Sequence, residues 1–517
     1  SAKGRPFAER KATLFVDGFI DMVMATLWMA ASMTLAADQV PESNVVQLPV
    51  GGDPTISFRI WFRVGSQDDP PGKEGLAALT GAMLTEAATE QNSYDRILER
   101  LYPMAATYSS STSVEMTVIS GRVHRDNLND YYGLLAEAVL SPAFQQDDLE
   151  RLKSDVLNYL ENTLRYASDE ELGKAVLYQE IFAGTPYGHI PPGTVEAVKS
   201  ITLDDIRDFY RTHYIRDNVV IGLGGGYAEQ LLQRLRTDLG RLPPGAPAQV
   251  PPPAPIPIQG LHVTIVEKEA NATAISLGYP IDLLRGTDDW YALAVANSWL
   301  GEHRNSSSHL FQVIRDRRGL NYGDYSYIEH FPNGGALTKP PQNVCRRRQL
   351  FEIWIRPVPN EARHFALRAA LRELKNLVDD GLTEEHFELT QKFLRNYVLH
   401  YAPTTYQRLG YALDDRFYGI SGSHLDLFRR SMSEVTHAGV NACVKKYLQY
   451  DNMHIVFVTP DAEALKKALV SDAPSPIRYA TPQPDALLAE DHQIGTLPLK
   501  IRPEHVKIVP VGELFEK

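Results

Sequence analysis

The sequence predicts an α+β protein built of two related halves, and three observations carry that prediction. Short runs that alternate apolar and polar residues, VEMTVISGRV (114–123) and LFEIWIRPV (350–358), read as strands. Each is followed by helical patterns, LLAEAVL (134–140) then FQQDDLERLKSDVLNYL in the first case, ALRAALRELKNLV (366–378) then LTEEHFELTQKFLRNYV in the second. The order strand, helix, turn, helix recurs at an offset of 238 residues, taking Phe144 with Leu382, and self-similarity of that kind suggests duplication. Strand runs mixed with amphipathic helices imply α+β units, each a sheet covered on one face by helices.

The chain has 517 residues, 44% hydrophobic and 22% charged. It is globular and too long for one core, since domains run roughly 100–200 residues; three to five compact units are expected. The net charge is −12, and the densest basic run is Arg346-Arg347-Arg348. That balance argues against nucleic acid as a partner.

Taken in order, residues 1–37 read as an export signal or an N-terminal anchor. Arg5, Arg10 and Lys11 precede an uncharged run of 16 residues, Met22 to Ala37, and Thr34-Leu35-Ala36 resembles a cleavage site. Asp17 and Asp21 are unusual in such a signal. The run is short of the ~20 residues that span a bilayer, and an exported, periplasmic chain is the expectation. The first half covers 38–240. Early in it, GLAALTGAML (75–84) reads as a helix with the apolar stripe Leu76, Leu79, Met83 and Ala87. A second face carries Ala78, Gly81 and Ala82 at i, i+3 and i+4. That spacing suits two metal ligands and a general base, yet these residues bind nothing.

VVIGLGGGYAEQLL (219–232) reads as strand, glycine cluster and helix, but the sixth position from Gly222 is Tyr227, so the G-x-G-x-x-G of dinucleotide sites fails and a tight turn is expected. Residues 241–260 hold eight prolines and predict an extended, semi-rigid spacer. The second half follows at 261–500, with a tail at 501–517. His303 and His309 flank serines rather than carboxylates at ligand spacing and read as structural or substrate-facing. His330 beside Glu329 reads as a solvated pair. Cys345 and Cys443 form no C-x-x-C, so neither a redox pair nor a cysteine-rich zinc site is supported; a single disulfide stays open.

Four stretches together point to a family. GSQDDPPGKEGLAALTGAML, SGRVHRDNLNDYYGLLAEAVLSPAF, GTPYGHIPPGTVEAVKSITLDDIRDFYRTHY and RDRRGLNYGDYSY, in this order and spacing, resemble the M16 metallopeptidases, the pitrilysin and insulinase superfamily, from about residue 47 to 460. The resemblance implies two homologous halves, each of two sandwich-like units with a mainly antiparallel sheet and helices on one face, enclosing a chamber. Active members carry H-x-x-E-H, two zinc-binding histidines around a glutamate that activates water. Here the motif falls on Ala78, Gly81 and Ala82, and the third ligand, a glutamate, falls near Tyr159. Neighbouring Asp155 and Glu161 are off register, and none of the fifteen histidines belongs to H-x-x-E-H or H-E-x-x-H. The resemblance therefore implies no cofactor in this chain.

The second half keeps what the first has lost. Active members supply an arginine and a tyrosine seven residues apart across the chamber, and IRDRRGLNY places them at Arg315 and Tyr322. A tyrosine hydroxyl can donate to the developing oxyanion, and a guanidinium can hold substrate carbonyls in register. Some M16 enzymes divide the two sets between subunits. The expectation is a non-zinc subunit of a heterodimeric zinc peptidase, inactive alone, that donates Arg315 and Tyr322 in trans to a partner carrying the zinc. A catalytically inert scaffold or a peptide-binding subunit is the alternative.

Overall fold

The computed structural model describes residues 39–247, 250–332 and 337–517; the signal or anchor expected over 1–37 lies outside them. The first half runs β1 (Val45–Pro49), β2 (Thr55–Phe62), α1 (Leu76–Thr85), α2 (Tyr94–Leu101), β3 (Thr107–Thr112), β4 (Thr117–His124), α3 (Leu128–Leu140), α4 (Gln146–Asn158), α5 (Asp169–Ile181), α6 (Val195–Ser200), α7 (Leu203–His213), β5 (Val219–Gly225) and α8 (Glu229–Leu239). The second repeats that order without a counterpart of α2: β6 (Leu261–Glu267), β7 (Ala272–Ile281), α9 (Asp288–Gly301), β8 (Asp324–Tyr327), β9 (Gln349–Pro359), α10 (Arg363–Asp380), α11 (Glu384–Tyr397), α12 (Thr405–Tyr418), α13 (His424–Glu434), α14 (His437–Tyr447), β10 (Met453–Thr459) and α15 (Ala462–Val470). It then adds α16 (Asp485–Gly495) and β11 (Val506–Pro510).

The strand orders are β1-β5-β2-β4-β3 and β11-β6-β10-β7-β9-β8. Apart from β11, the second is the first with each strand replaced by its counterpart, which is the duplication in three dimensions. Both sheets are mixed: β1 runs parallel to β5, and β6 parallel to β10 and β11, while the other neighbours are antiparallel. Each half holds one such sheet, where two units per half are expected from the resemblance. Of the further helices, α5 and α12 pack on the other half's sheet, while α11, α13 and α14 pack on α9 or on one another.

The single offset of 238 also needs correction. It holds for α4 and α11, which begin at Gln146 and Glu384, but β3 and β8 begin at Thr107 and Asp324, 217 apart. The shift arises between the last two strands of each sheet. Residues 113–116 join β3 to β4, whereas 328–348 join β8 to β9.

The halves trade helices. α5 packs on β7, β9 and β10, and α12 packs on β1, β2 and β5. Glycines permit both approaches: a Cβ on Gly173 would meet Ser276 Oγ at 3.2 Å, and one on Gly222 would meet Leu413 Cδ1 at 2.6 Å. The glycine cluster at 222–225 is therefore strand, not the tight turn expected from sequence; it lets α12 lie close, and only Gly225, with φ +105°, ends the strand. Trp61, Val118 and Val220 of the first sheet, with Met116 just before β4, pack with Leu409 and Leu413 of α12. The described residues of 241–260 carry neither helix nor strand, and more than half of them are exposed; Arg347 and Arg348 donate to the Val250 and Pro253 carbonyls. Cys345 and Cys443 are free thiols, both buried, so the disulfide left open by sequence is absent.

A polar joint runs through the same seam. Arg59 on β2 donates to the Tyr406 carbonyl at 3.2 Å and to Asn343 Oδ1. Asn343 Nδ2 donates to Asp414 at 2.9 Å, and Arg285 bridges Asp414 at 3.3 Å and Glu329 at 2.7 Å. The tail crosses back beyond β11. Leu514 and Phe515 enter the first half's core, the Val195 and Glu196 amides donate to the carbonyls of Phe515 and Glu516 at 2.8 and 2.9 Å, and Arg165 donates to the Leu514 carbonyl. Removing a buried phenyl ring costs roughly 3 kcal/mol or more. Phe515→Ala should lower stability by about 3 kcal/mol, read as a reduced urea midpoint.

Candidate functional site

α1 is set by its ends and its stripe. Asp69 accepts from the Gly75 and Ala77 amides at 2.8 and 2.7 Å, satisfying donors that a helix start leaves unpaired. Leu76, Leu79 and Met83 are buried in the core. The other face meets β3: a Cβ on Gly81 would lie 3.2 Å from Ser110 Oγ and 3.3 Å from Thr112 Oγ1, so a side chain there would press closely on the strand's hydroxyl groups. Ala78, Ala82 and Tyr159 line one cavity of about 620 Å³. Tyr159 opens a turn of π-helix, Tyr159–Leu164, after α4, and burial pushes its phenol up.

The opposite wall belongs to the second half. Pro341, Gln342 and Val344, from the long β8–β9 connection, line the same cavity. Its rim also carries Lys174, which lies 3.7 Å from Glu352, and Tyr178, whose hydroxyl donates to the same Glu352 oxygen at 2.9 Å. Burial pushes the Glu352 carboxyl up, and Lys174 beside it pulls it back. This buried trio escaped the sequence reading. Its one local signal is Lys174 within the apolar run LGKAVL.

The second-half pair lies elsewhere. Tyr322 is 78% exposed, while Asn321 and Gly323 on either side are buried. Asn321 Nδ2 donates to Asp324 Oδ1 at 2.7 Å and to the Arg356 carbonyl at 3.1 Å, and its own Oδ1 accepts from the Gly323 amide at 3.3 Å. The loop is fixed from beneath and the phenol faces solvent. Arg315 sits on the π-helical turn Phe311–Asp316, its guanidinium 5.4 Å from the Phe311 ring, and makes no ion pair among the described residues. Arg318, three residues on, is spent within the fold, at 2.9 Å from Glu490 and 2.8 Å from Asp491. The structure thus brings Ala78, Ala82 and Tyr159 together, with Gly81 behind them. It leaves Arg315 and Tyr322 off that cavity.

Matches to known proteins cover most of this architecture. Residues 50–189 match the family described as Insulinase (Peptidase family M16), and residues 200–394 match Peptidase M16 inactive domain. The chain belongs to the M16 family. An uncharacterized zinc protease of Streptomyces coelicolor is 25% identical over 64% of this chain and 69% of its own length. The Helicobacter pylori protein named Non-peptidase homolog YmxG is 26% identical over 72% of this chain and 83% of its own length. Among solved structures, a peptidase M16 inactive domain from Pseudomonas fluorescens superposes with a TM-score of 0.71 at 24% identity, covering 80% of this chain and 95% of that one; it is similar in fold.

The M16 zinc does not fit the residues present. Two methyl groups and a glycine stand at the motif, and a phenol at the third ligand. Among the described residues no three His, Cys, Asp or Glu side chains converge as a metal site. Zinc needs three protein ligands and an open position for hydrolysis. Elemental analysis of the purified chain should therefore find no stoichiometric zinc; about one tightly held zinc per chain would contradict this.

The histidines singled out earlier are placed within the fold. His303 Nδ1 lies 2.7 Å from the Tyr327 hydroxyl, and His309 lies 2.6 Å from Glu373, stacked on Trp299. His330 and Glu329 are not the solvated pair expected from sequence. Glu329 pairs with Arg285, and the His330 ring packs edge-on against Tyr178 at 4.8 Å. Beside His303, burial pushes the Glu302 carboxyl from 4.5 up to about 7. A raised carboxyl contributes stability that is fully present below its unfolded value, 4.5, and is lost as pH rises through about 7. Glu302→Gln should flatten the wild-type loss of stability between those pH values, followed by thermal melts across that window.

Proposed function

We propose that this M16 chain is the non-zinc subunit of a heterodimeric zinc peptidase and presents Arg315 and Tyr322 to its partner's site. One observation carries the reading: Tyr322 is held outward, 78% exposed, on a loop fixed by the buried Asn321 clamp, so its hydroxyl is open to a partner's substrate. The absent half of the chemistry agrees, since Ala78, Gly81, Ala82 and Tyr159 leave this chain's own site blank. Zinc in the partner would supply the activated water. Tyr322 would then donate its hydroxyl to the oxyanion of the tetrahedral intermediate, and Arg315 would hold substrate carbonyls in register. The substrates are peptides or unfolded segments. An exported, periplasmic location belongs to the same reading and rests on residues 1–37 alone.

Arg315→Ala tests it. In the complex with an M16 subunit carrying H-x-x-E-H, the loss of a substrate-holding fork should raise KM as well as lower kcat. Unchanged kinetics in a normally assembled complex would favour the inert scaffold instead.

A further inference from the structure

The surface of the second half carries a cationic site that the peptidase reading does not use. α11 and α13 pack against each other, and beside them opens a concavity of about 700 Å³. Its walls include Arg395 from α11, Arg429 and Arg430 from α13, and Ser421 and Ser423 from the loop before α13. All three arginines are exposed, and none makes an ion pair among the described residues. In a chain of net charge −12, three guanidinium groups share this concavity with one carboxylate, Asp426. Asp426 stands three and four residues before Arg429 and Arg430 on the same helix, the spacing at which helical ion pairs form, yet it pairs with neither.

We propose that this concavity binds an oligophosphate, gripped by the guanidinium forks of Arg395, Arg429 and Arg430. Guanidinium is planar and presents paired donors that match phosphate oxygens two at a time, and such charge-assisted pairs are the strong ones. Three like charges held around one open space repel until an anion enters. The space falls in the ~300–1,000 Å³ range of small-ligand sites, and its lining of arginine and serine suits an anion with several phosphoryl groups rather than an apolar body.

Inorganic triphosphate is the probe, titrated by calorimetry into the whole chain at fixed ionic strength. Saturable binding is expected in the wild type, weakened roughly tenfold or more for each of Arg395→Ala, Arg429→Ala and Arg430→Ala. Asp426→Asn should tighten it. Arg241→Ala, an exposed arginine outside the concavity, should leave it unchanged. All three arginines are on the surface, so circular dichroism should show folded variants. No saturable binding, equal weakening by Arg241→Ala, or binding of citrate in preference to triphosphate would each overturn the assignment.

Discussion

Tyr322→Phe is expected to cut the peptidase rate of the complex with a zinc-bearing M16 subunit by ~10²–10³, while leaving assembly intact. The substitution removes one hydroxyl and keeps the ring. The exposed side chain packs little, and the Asn321 clamp that fixes the loop does not involve the phenol. What is lost is a donor aimed at charge that develops in the transition state, and one such donor is typically worth ~3–4 kcal/mol of barrier. Because the donor acts on the intermediate rather than on the bound peptide, kcat should fall while KM moves little. Steady-state kinetics on an internally quenched peptide, with gel filtration to confirm the complex, separates this from a loss of partner binding.

The largest effect on stability is expected at Arg285. Its side chain is buried, and its guanidinium serves two carboxylates, Glu329 and Asp414. Asp414 in turn accepts from the Asn343 backbone and side chain, and Asn343 meets Arg59 of the first half. Arg285→Leu would leave buried carboxylates without their cation, a change that typically costs ~3–5 kcal/mol. The sign with pH follows from the chemistry. Burial already pushes Asp414 up, and Arg285 pulls it back. Without the arginine the carboxyl rises further, so the variant should lose more stability at alkaline than at acidic pH. Urea unfolding at two pH values reads both the size and the direction.

How much of this was legible depends on the range of the interaction. The stripe Leu76, Leu79, Met83 announces α1 because its period is local, and the duplicated strand–helix order is visible for the same reason. The exchange of α5 and α12 between halves leaves no local period. Gly222 looks like a turn residue until Leu413, nearly two hundred positions away, is found in its missing side chain's place. The long β8–β9 connection hides in the sequence as a change of offset, since only alignment of both flanks shows it. At the site, spacing exposes the blank positions Ala78, Gly81 and Ala82, the resemblance adds Tyr159, and one cavity is lined by Ala78, Ala82 and Tyr159. Arg315 and Tyr322 are visible only through the family resemblance; periodicity alone would make them a helix surface residue and a core strand aromatic. The outward set of Tyr322 comes from Asn321 reaching Asp324 and Arg356, a three-dimensional arrangement that no local pattern encodes. Lys174, Tyr178 and Glu352 meet across the halves and were invisible for that reason.

The most direct measurement of the central claim is a titration of this chain into a fixed amount of an M16 subunit that carries H-x-x-E-H, with peptide cleavage as the readout. The account predicts that neither chain cleaves appreciably alone, and that activity rises with added chain and saturates at an equimolar mixture. A zinc-bearing subunit as active alone as in the mixture would contradict it.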